Sequence, residues 1–198
     1  MQQRFQTRED YLVQAVAELR PVFDALNHPL PAAIRVACGF PSNNARAAKN
    51  RAVGQHWSGK ASADGTHEIL ISPVIADPVR VLGILVHELA HAATDGDGHK
   101  GRFPALVRAL GLEGKPTATV EGDRFRAEYQ SLLADLGEYP HAVLNAGVNR
   151  KVQSTRMLKA SCPCCGYTVR LSAKWASLGL PVCPLDGDSL ALEGSDNE

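Results

Sequence analysis

The sequence predicts an α+β fold followed by a small cysteine-based module. Three observations carry that expectation. Short alternating segments follow an N-terminal amphipathic stretch, a long apolar helical segment comes next, and four of the five cysteines fall in the last quarter of the chain. The 198 residues fit one domain of ordinary size with a small module attached. A content of 44% hydrophobic and 21% charged residues is that of a packed core. The expected division is 1–145 for the main domain, 146–160 for a basic linker and 161–198 for the module with an acidic tail.

The first helix is expected from Thr7 to about Asn27. Thr7 caps it with Asp10 at the third helical position, a variant of the capping box. Leu12, Val16, Leu19, Phe23 and Leu26 keep a helical spacing. Pro21 is expected to kink or split it. Ile34, Val36 and Cys38 alternate with Arg35 and Ala37 as in a strand, which places Cys38 in the core. Two more strands are expected at Ala52 to Trp57 and His67 to Ser72, joined by a Gly- and Ser-rich connection with Asp64-Gly65 as its turn. Together these form a small antiparallel sheet. His56 and Trp57 read as ordinary strand residues; His28, His67 and His141 show no partner.

Asp77-Pro78 opens the next helix, with Asp77 as cap and Pro78 in its first turn. It runs to about Thr94 before Gly96 and is apolar nearly all round, which requires burial. Further helices are expected from about Lys100 to Leu110 and from Asp123 to Leu136, and a linker from Ala142 to Lys159. No internal repeat is evident.

The buried helix carries His87-Glu88-Leu89-Ala90-His91. Residues four apart share a helix face, so His87 and His91 can offer two imidazoles to one metal. Glu88 stands about 100° round the helix, placed to reach a water without being a ligand. Two histidines and a glutamate inside an apolar helix are costly unless they have partners, which favours a metal over two ordinary core histidines. Zinc with three protein ligands keeps a position open for water, and Glu88 is the candidate base. Asp95, Asp97 and His99 all lie just beyond the helix. Asp97 stands where the metzincin pattern has its third ligand, although Thr94 replaces the glycine of that pattern. His99 is favoured because neutral imidazole is the commonest metal ligand.

His87-Glu-Leu-Ala-His91, followed by Gly98-His99-Lys-Gly101-Arg-Phe103 and Leu110-Gly-Leu, resembles the SprT-like metalloprotease family, in particular its phage and actinobacterial branch, which is related to the Spartan proteases. The resemblance covers roughly Pro21 to Leu112 and the terminal cysteine module. It departs at Lys100, where the family motif has glycine, and in the short interval between His91 and His99. It implies a zincin-like core, catalytic zinc on His87, His91 and His99, and Glu88 as the catalytic base. It also implies an edge strand near Val53 to Trp57 that an extended substrate could join.

Cys162-x-x-Cys165 and Cys183-Pro-Leu-Asp186 have the spacing of a zinc ribbon, with a hairpin-like stretch through Tyr167 to Trp175 between them. A second, structural zinc is expected on Cys162, Cys165, Cys183 and Asp186. Adjacent cysteines rarely both reach one ion, which sets Cys164 aside. A ribbon that kept its fold and lost its metal is the alternative.

Net charge is zero, yet no Asp or Glu occurs from Tyr139 to Leu185, a stretch with Arg150, Lys151, Arg156, Lys159, Arg170 and Lys174. Such a run suits phosphate contact, with Arg170 and Lys174 as candidate nucleic-acid ligands and Tyr167 and Trp175 as stacking partners for single-stranded bases. The expected function is a zinc-dependent endopeptidase acting on protein associated with nucleic acid, single-stranded or mixed DNA. The alternatives are a weak or inactive nucleic-acid-binding zinc protein and a general peptidase with no nucleic acid partner. No stretch reaches the ~20 apolar residues of a membrane span, and the N-terminus lacks a signal core, so a cytoplasmic location is expected. Oligomeric state is left open.

Overall fold

The computed structural model describes residues 4–47, 50–148 and 157–192. Arg150, Lys151, Arg156 and the acidic tail from 193 lie outside them. The chain divides into two compact units, Met1–Val148 and Asn149–Glu198. Among the described residues, no helix is long and apolar enough to cross a membrane.

In the first unit, α1 spans Arg8–Ala25. The Thr7 hydroxyl accepts from the Asp10 N–H at 3.1 Å and donates to its carboxylate at 2.6 Å, which closes the expected cap. Tyr11, Leu12, Ala15, Val16, Leu19 and Phe23 form its buried face. The helix continues through Pro21 and is not split. The N–H that proline lacks would have bonded Ala17, and both residues are exposed, so water can serve that carbonyl.

Strands β1 (Ile34–Cys38), β2 (Gly54–Trp57) and β3 (His67–Ile71) form a sheet of order β1-β3-β2. It is mixed, not antiparallel as expected: β1 runs parallel to β3 with Val36 opposite Ile69, and β2 is antiparallel with His56 opposite Ile69. Alternation shows which residues line a face but not strand direction, and here the chain crosses over before β3 inserts between the other two. Cys38 is half-buried, not a core residue. Its sulfur lies 3.3 Å from Nη1 of Arg8, a buried guanidinium that also donates to the carbonyls of Pro73, Pro140 and Ala142.

Helix α2 (Pro78–Ala93) is capped by Asp77, whose carboxylate accepts the Arg80 N–H at 2.8 Å. Val81, Leu82, Leu85, Val86 and Leu89 are buried, and each such side chain stabilises the fold by roughly 1.5–3 kcal/mol. Helix α3 (Phe103–Ala109) starts three residues later than expected. Strands β4 (Leu112–Lys115) and β5 (Ala118–Glu121) form a hairpin that the sequence reading lacked. The last helix of the unit is two: α4 (Asp123–Glu128) and α5 (Gln130–Leu136), which meet at Tyr129.

The second unit contains β6 (Leu158–Ser161), β7 (Thr168–Leu171), α6 (Ala173–Ala176) and β8 (Ala191–Leu192), with strand order β7-β6-β8. The module thus begins with a strand inside the expected linker, and the stretch from Tyr167 to Trp175 is β7 followed by α6 rather than a hairpin. Its core is small: Ala160, Cys162, Cys183 and Leu190, with Val169, Leu171 and Leu180 packed against them. A core of that size needs a further staple, for which a metal is one solution.

Candidate metal centre and cleft

The histidine triad is assembled from α2 and the turn before α3. The four-residue spacing puts His87 and His91 on one face of α2, with ring centroids 4.9 Å apart. The Gly98 and Gly101 turns, both at positive φ, bring His99 back to them. One ring nitrogen from each of the three lies within 4.8 Å of the others. Nε2 of His91 and Nε2 of His99 are 3.2 Å apart. Two imidazole lone pairs cannot face each other at that distance without a proton or a cation between them.

Phe103 sets the ring orientations. Buried itself, it stacks on His91 with centroids 4.1 Å apart and lies edge-on to His87 and His99 at 5.0 and 5.3 Å. Nδ1 of His87 is 2.9 Å from the Thr119 hydroxyl on β5, which leaves Nε2 for the triad. The hairpin that supplies Thr119 is fixed to α2 by Arg80, which donates to Glu121 at 2.7 Å and to the Thr119 carbonyl at 3.2 Å. The Glu121 side chain lies over Gly83, where any Cβ would meet it.

Burial favours the neutral imidazoles that a metal requires. It depresses His87 to about 4, with smaller contributions from His99 and Arg80. It depresses His91 to about 3, aided by the neighbouring histidines, and lowers His99 as well. Glu88 shifts the other way. Its carboxyl is pushed up to about 8 by desolvation, opposed by a hydrogen bond from the His56 backbone N–H. A Cβ on Gly54 would come within 2.4 Å of Glu88 Oε1 and 2.6 Å of an Ile84 methyl, so glycine gives Glu88 its place against β2.

Asp97, the rival third ligand, is turned away. Its carboxylate accepts from the backbone N–H and Nε of Arg102, both at 2.9 Å, and these bonds hold it below the usual carboxylate range. Asp95 accepts from the Ser58 hydroxyl at 2.8 Å. A cleft of about 720 Å³ runs between β2 on one side and the β4–β5 hairpin on the other, and His87, Glu88, His91 and His99 all line it. Strand β2 is the outer strand of its sheet and borders this cleft.

In the second unit two like turns face each other. Cys162-Pro-Cys-Cys165-Gly166 and Cys183-Pro-Leu-Asp186-Gly187 share, beyond the expected ligand spacing, a proline after the leading cysteine and a closing glycine. In each, the glycine at positive φ donates its N–H to the carbonyl of the leading cysteine, at 3.0 and 2.9 Å. Asp186 therefore occupies in the second turn the place of Cys165 in the first. Cys165 and Cys183 sulfurs are 3.4 Å apart, and Cys162 Sγ lies 3.0 Å from Asp186 Oδ2. These four form the second group able to hold a metal ion, and exposed Cys164 stands outside it. The Cys162 thiol beside the Asp186 carboxylate is raised to about 12, while Asp186 is held below the usual range.

Arg170 and Lys174 are exposed, and the Lys174 ammonium lies over the Trp175 ring at 5.2 Å. Arg170 stands directly opposite Lys159 across the β6–β7 pair.

No family model, curated protein or solved structure matches the chain.

Residues that the sequence reading missed are Gly54, Thr119, Arg80, Glu121 and the partner of His56. Within Leu112 to Glu121, Pro116-Thr117 marks a turn, but Leu112 to Lys115 lacks the apolar alternation that would have marked a strand. Nothing local marked Gly54, whose role depends on a helix thirty residues away.

Proposed function

We propose that the chain is a zinc-dependent endopeptidase of SprT-like type. The observation that carries this reading is the buried Glu88 carboxyl beside three convergent, neutral imidazoles in a cleft bordered by an edge strand. Three nitrogen donors with an open side fit a catalytic zinc site, and two histidines four apart on one helix are one of its usual frameworks. Thr119 accepts the Nδ1 proton of His87 and so holds Nε2 as the ligating atom.

Zinc, when bound, would supply Lewis acidity to a water and to the scissile carbonyl. Glu88 accepts the proton of that water and delivers it to the departing amine. Burial raises the proton affinity of Glu88 above that of an ordinary carboxylate, which favours its holding the proton until the amine departs. The outer edge of β2 offers unpaired backbone groups to an extended peptide, which favours unfolded segments as substrate.

In the second unit, Cys162, Cys165, Cys183 and Asp186 are the residues that would hold a structural zinc. The facing cations Lys159 and Arg170, the Lys174–Trp175 pair and the absence of carboxylates from Tyr139 to Leu185 support a nucleic-acid contact there. The substrate class that unites both units is protein bound to DNA.

The test is digestion of unfolded casein and of a DNA-bound basic protein by the zinc-loaded full chain, with and without added single-stranded DNA. Cleavage of both, with the second stimulated by DNA, is expected. Cleavage of casein alone, indifferent to DNA, would leave a general peptidase.

A further inference from the structure

His56 and His67 are two of the four histidines outside the triad. They form a pair. Nε2 of His56 lies 2.9 Å from Nδ1 of His67, and their rings are nearly parallel, 19° apart. The register explains the pairing and its direction. His56 stands opposite Ile69 on β3, so it shares a sheet face with Ile69, and with His67 and Ile71 two places to either side. Ile69 and Ile71 are fully buried, and the same face carries Gly54 against Glu88 and Ile84 of α2. His56 therefore projects from the edge strand toward α2. Its ring lies parallel to that of His91, with centroids 6.3 Å apart, and it lines the cleft.

Two features distinguish this pair from ordinary packing. An apolar pair would bury the same surface at lower cost, since each imidazole brings a polar edge into a desolvated layer. And the His56 backbone N–H lowers the proton affinity of the Glu88 carboxyl, while the His56 side chain enters the cleft beside His91. With Nε2 engaged by His67, His56 keeps Nδ1, which has no protein partner among the described residues.

Resting on the peptidase reading above, we infer that His56 is a catalytic hydrogen-bond donor to the scissile carbonyl oxygen of a bound peptide, and that His67 is the positioning residue that fixes its tautomer. His67 donates Nδ1–H to Nε2 of His56. The proton of His56 then resides on Nδ1, directed at the substrate. As negative charge grows on the carbonyl oxygen during water attack, that hydrogen bond strengthens. No proton need be transferred, and the bond relaxes when the C–N bond breaks.

The experiment uses zinc-loaded full-length protein and a quenched fluorogenic peptide that the wild type cleaves. Removing one such donor typically lowers kcat by about 10²-fold or more. His56→Phe is expected to show that loss with KM changed by less than about threefold and zinc content unchanged. His56→Gln, which retains a donor, recovers part of the loss. His67→Phe lowers kcat, and His67→Gln, still able to bond Nε2, restores most of it. A second readout is independent of turnover: a phosphinic peptide, which carries a tetrahedral oxyanion, loses affinity for His56→Phe in proportion to kcat. Nitrogen-15 spectra of the metal-free protein place the His56 proton on Nδ1. Wild-type kcat in His56→Phe, or a loss that appears wholly in KM or in zinc content, overturns the assignment. If Glu88→Gln also retains activity, or the wild type cleaves nothing, the peptidase reading falls first; if Glu88→Gln is inactive and His56→Phe is not, this assignment alone is wrong.

Discussion

Phe103 lies face to face with His91, ring centroids 4.1 Å apart and planes 19° apart, and the same ring touches His87 and His99 edge-on. One buried side chain thus orients three candidate ligands from two chain segments. Phe103→Leu keeps the site apolar but removes the flat surface. Disturbing groups that orient metal ligands commonly costs 10- to 100-fold in affinity, and about 10-fold is expected here. Titration of zinc against a competing chelator measures it; unchanged affinity in a folded variant would show that the imidazoles orient themselves.

Gly54→Ala should separate the base from the metal. Its new Cβ would fall 2.4 Å from Glu88 Oε1, and Ile84 blocks the alternative space. The carboxylate has to move by about an ångström, a misplacement that can cost about 10²-fold in rate. Zinc content should be unchanged, because the atoms nearest the new Cβ belong to Glu88 and Ile84 and not to the three histidines. Peptide cleavage and metal analysis on one preparation distinguish this result from general damage to the fold.

Burial of Glu88 predicts a pH-dependent gain in stability when its charge is removed. The carboxyl titrates at about 8 in the metal-free folded chain against an ordinary value of 4.5. Folding therefore takes up a proton between those two pH values. The resulting destabilisation is absent below pH 4.5, grows as pH rises through that window and is complete above about 8. At pH 7 it is on the order of 3 kcal/mol. Metal-free Glu88→Gln should be more stable than metal-free wild type by about that much at pH 7, and the two should converge below about pH 4.5. Urea denaturation in chelator at pH 4.5 and pH 7 checks the sign. The histidines act oppositely: depressed to about 4 and 3, His87 and His91 reduce stability as pH falls from about 6.5, in both proteins alike.

The paired turns of the second unit predict a second metal. Zinc analysis should give about two ions per chain, and Cys162→Ser should remove one while leaving peptide cleavage at neutral pH in place. The core of that unit is small, so the same substitution should make it more susceptible to a nonspecific protease. A single zinc, unaffected by Cys162→Ser, would mark the ribbon as metal-free.

Much of this arrangement was legible in the sequence because it rests on local spacing. The helical interval from His87 to His91, the Asp77-Pro78 start of α2, the Thr7 cap and the two cysteine turns all repeat at distances of a few residues. Strand direction was not legible, since the alternation in Ile34 to Cys38 is the same for parallel and antiparallel partners. The β4–β5 hairpin was hidden because its strands are four residues long and interrupted by Gly114. The His56–His67 pair needed the register of β2 on β3. Ligand chemistry favoured His99 over Asp97 in the sequence, and the Arg102 bonds to the Asp97 carboxylate add a structural reason. Strand direction and the register of β2 on β3 are relations between segments rather than properties of one segment.

We propose Glu88 as the base of a metal-dependent peptidase. That role is tested most directly by comparing wild-type and Glu88→Gln chains for casein cleavage, with zinc measured in the same samples. Loss of cleavage by 10²-fold or more with the active-site zinc retained is the expected result, since glutamine keeps the shape and cannot accept the proton. Equal cleavage by the two chains, or loss of cleavage only in step with loss of zinc, would contradict it.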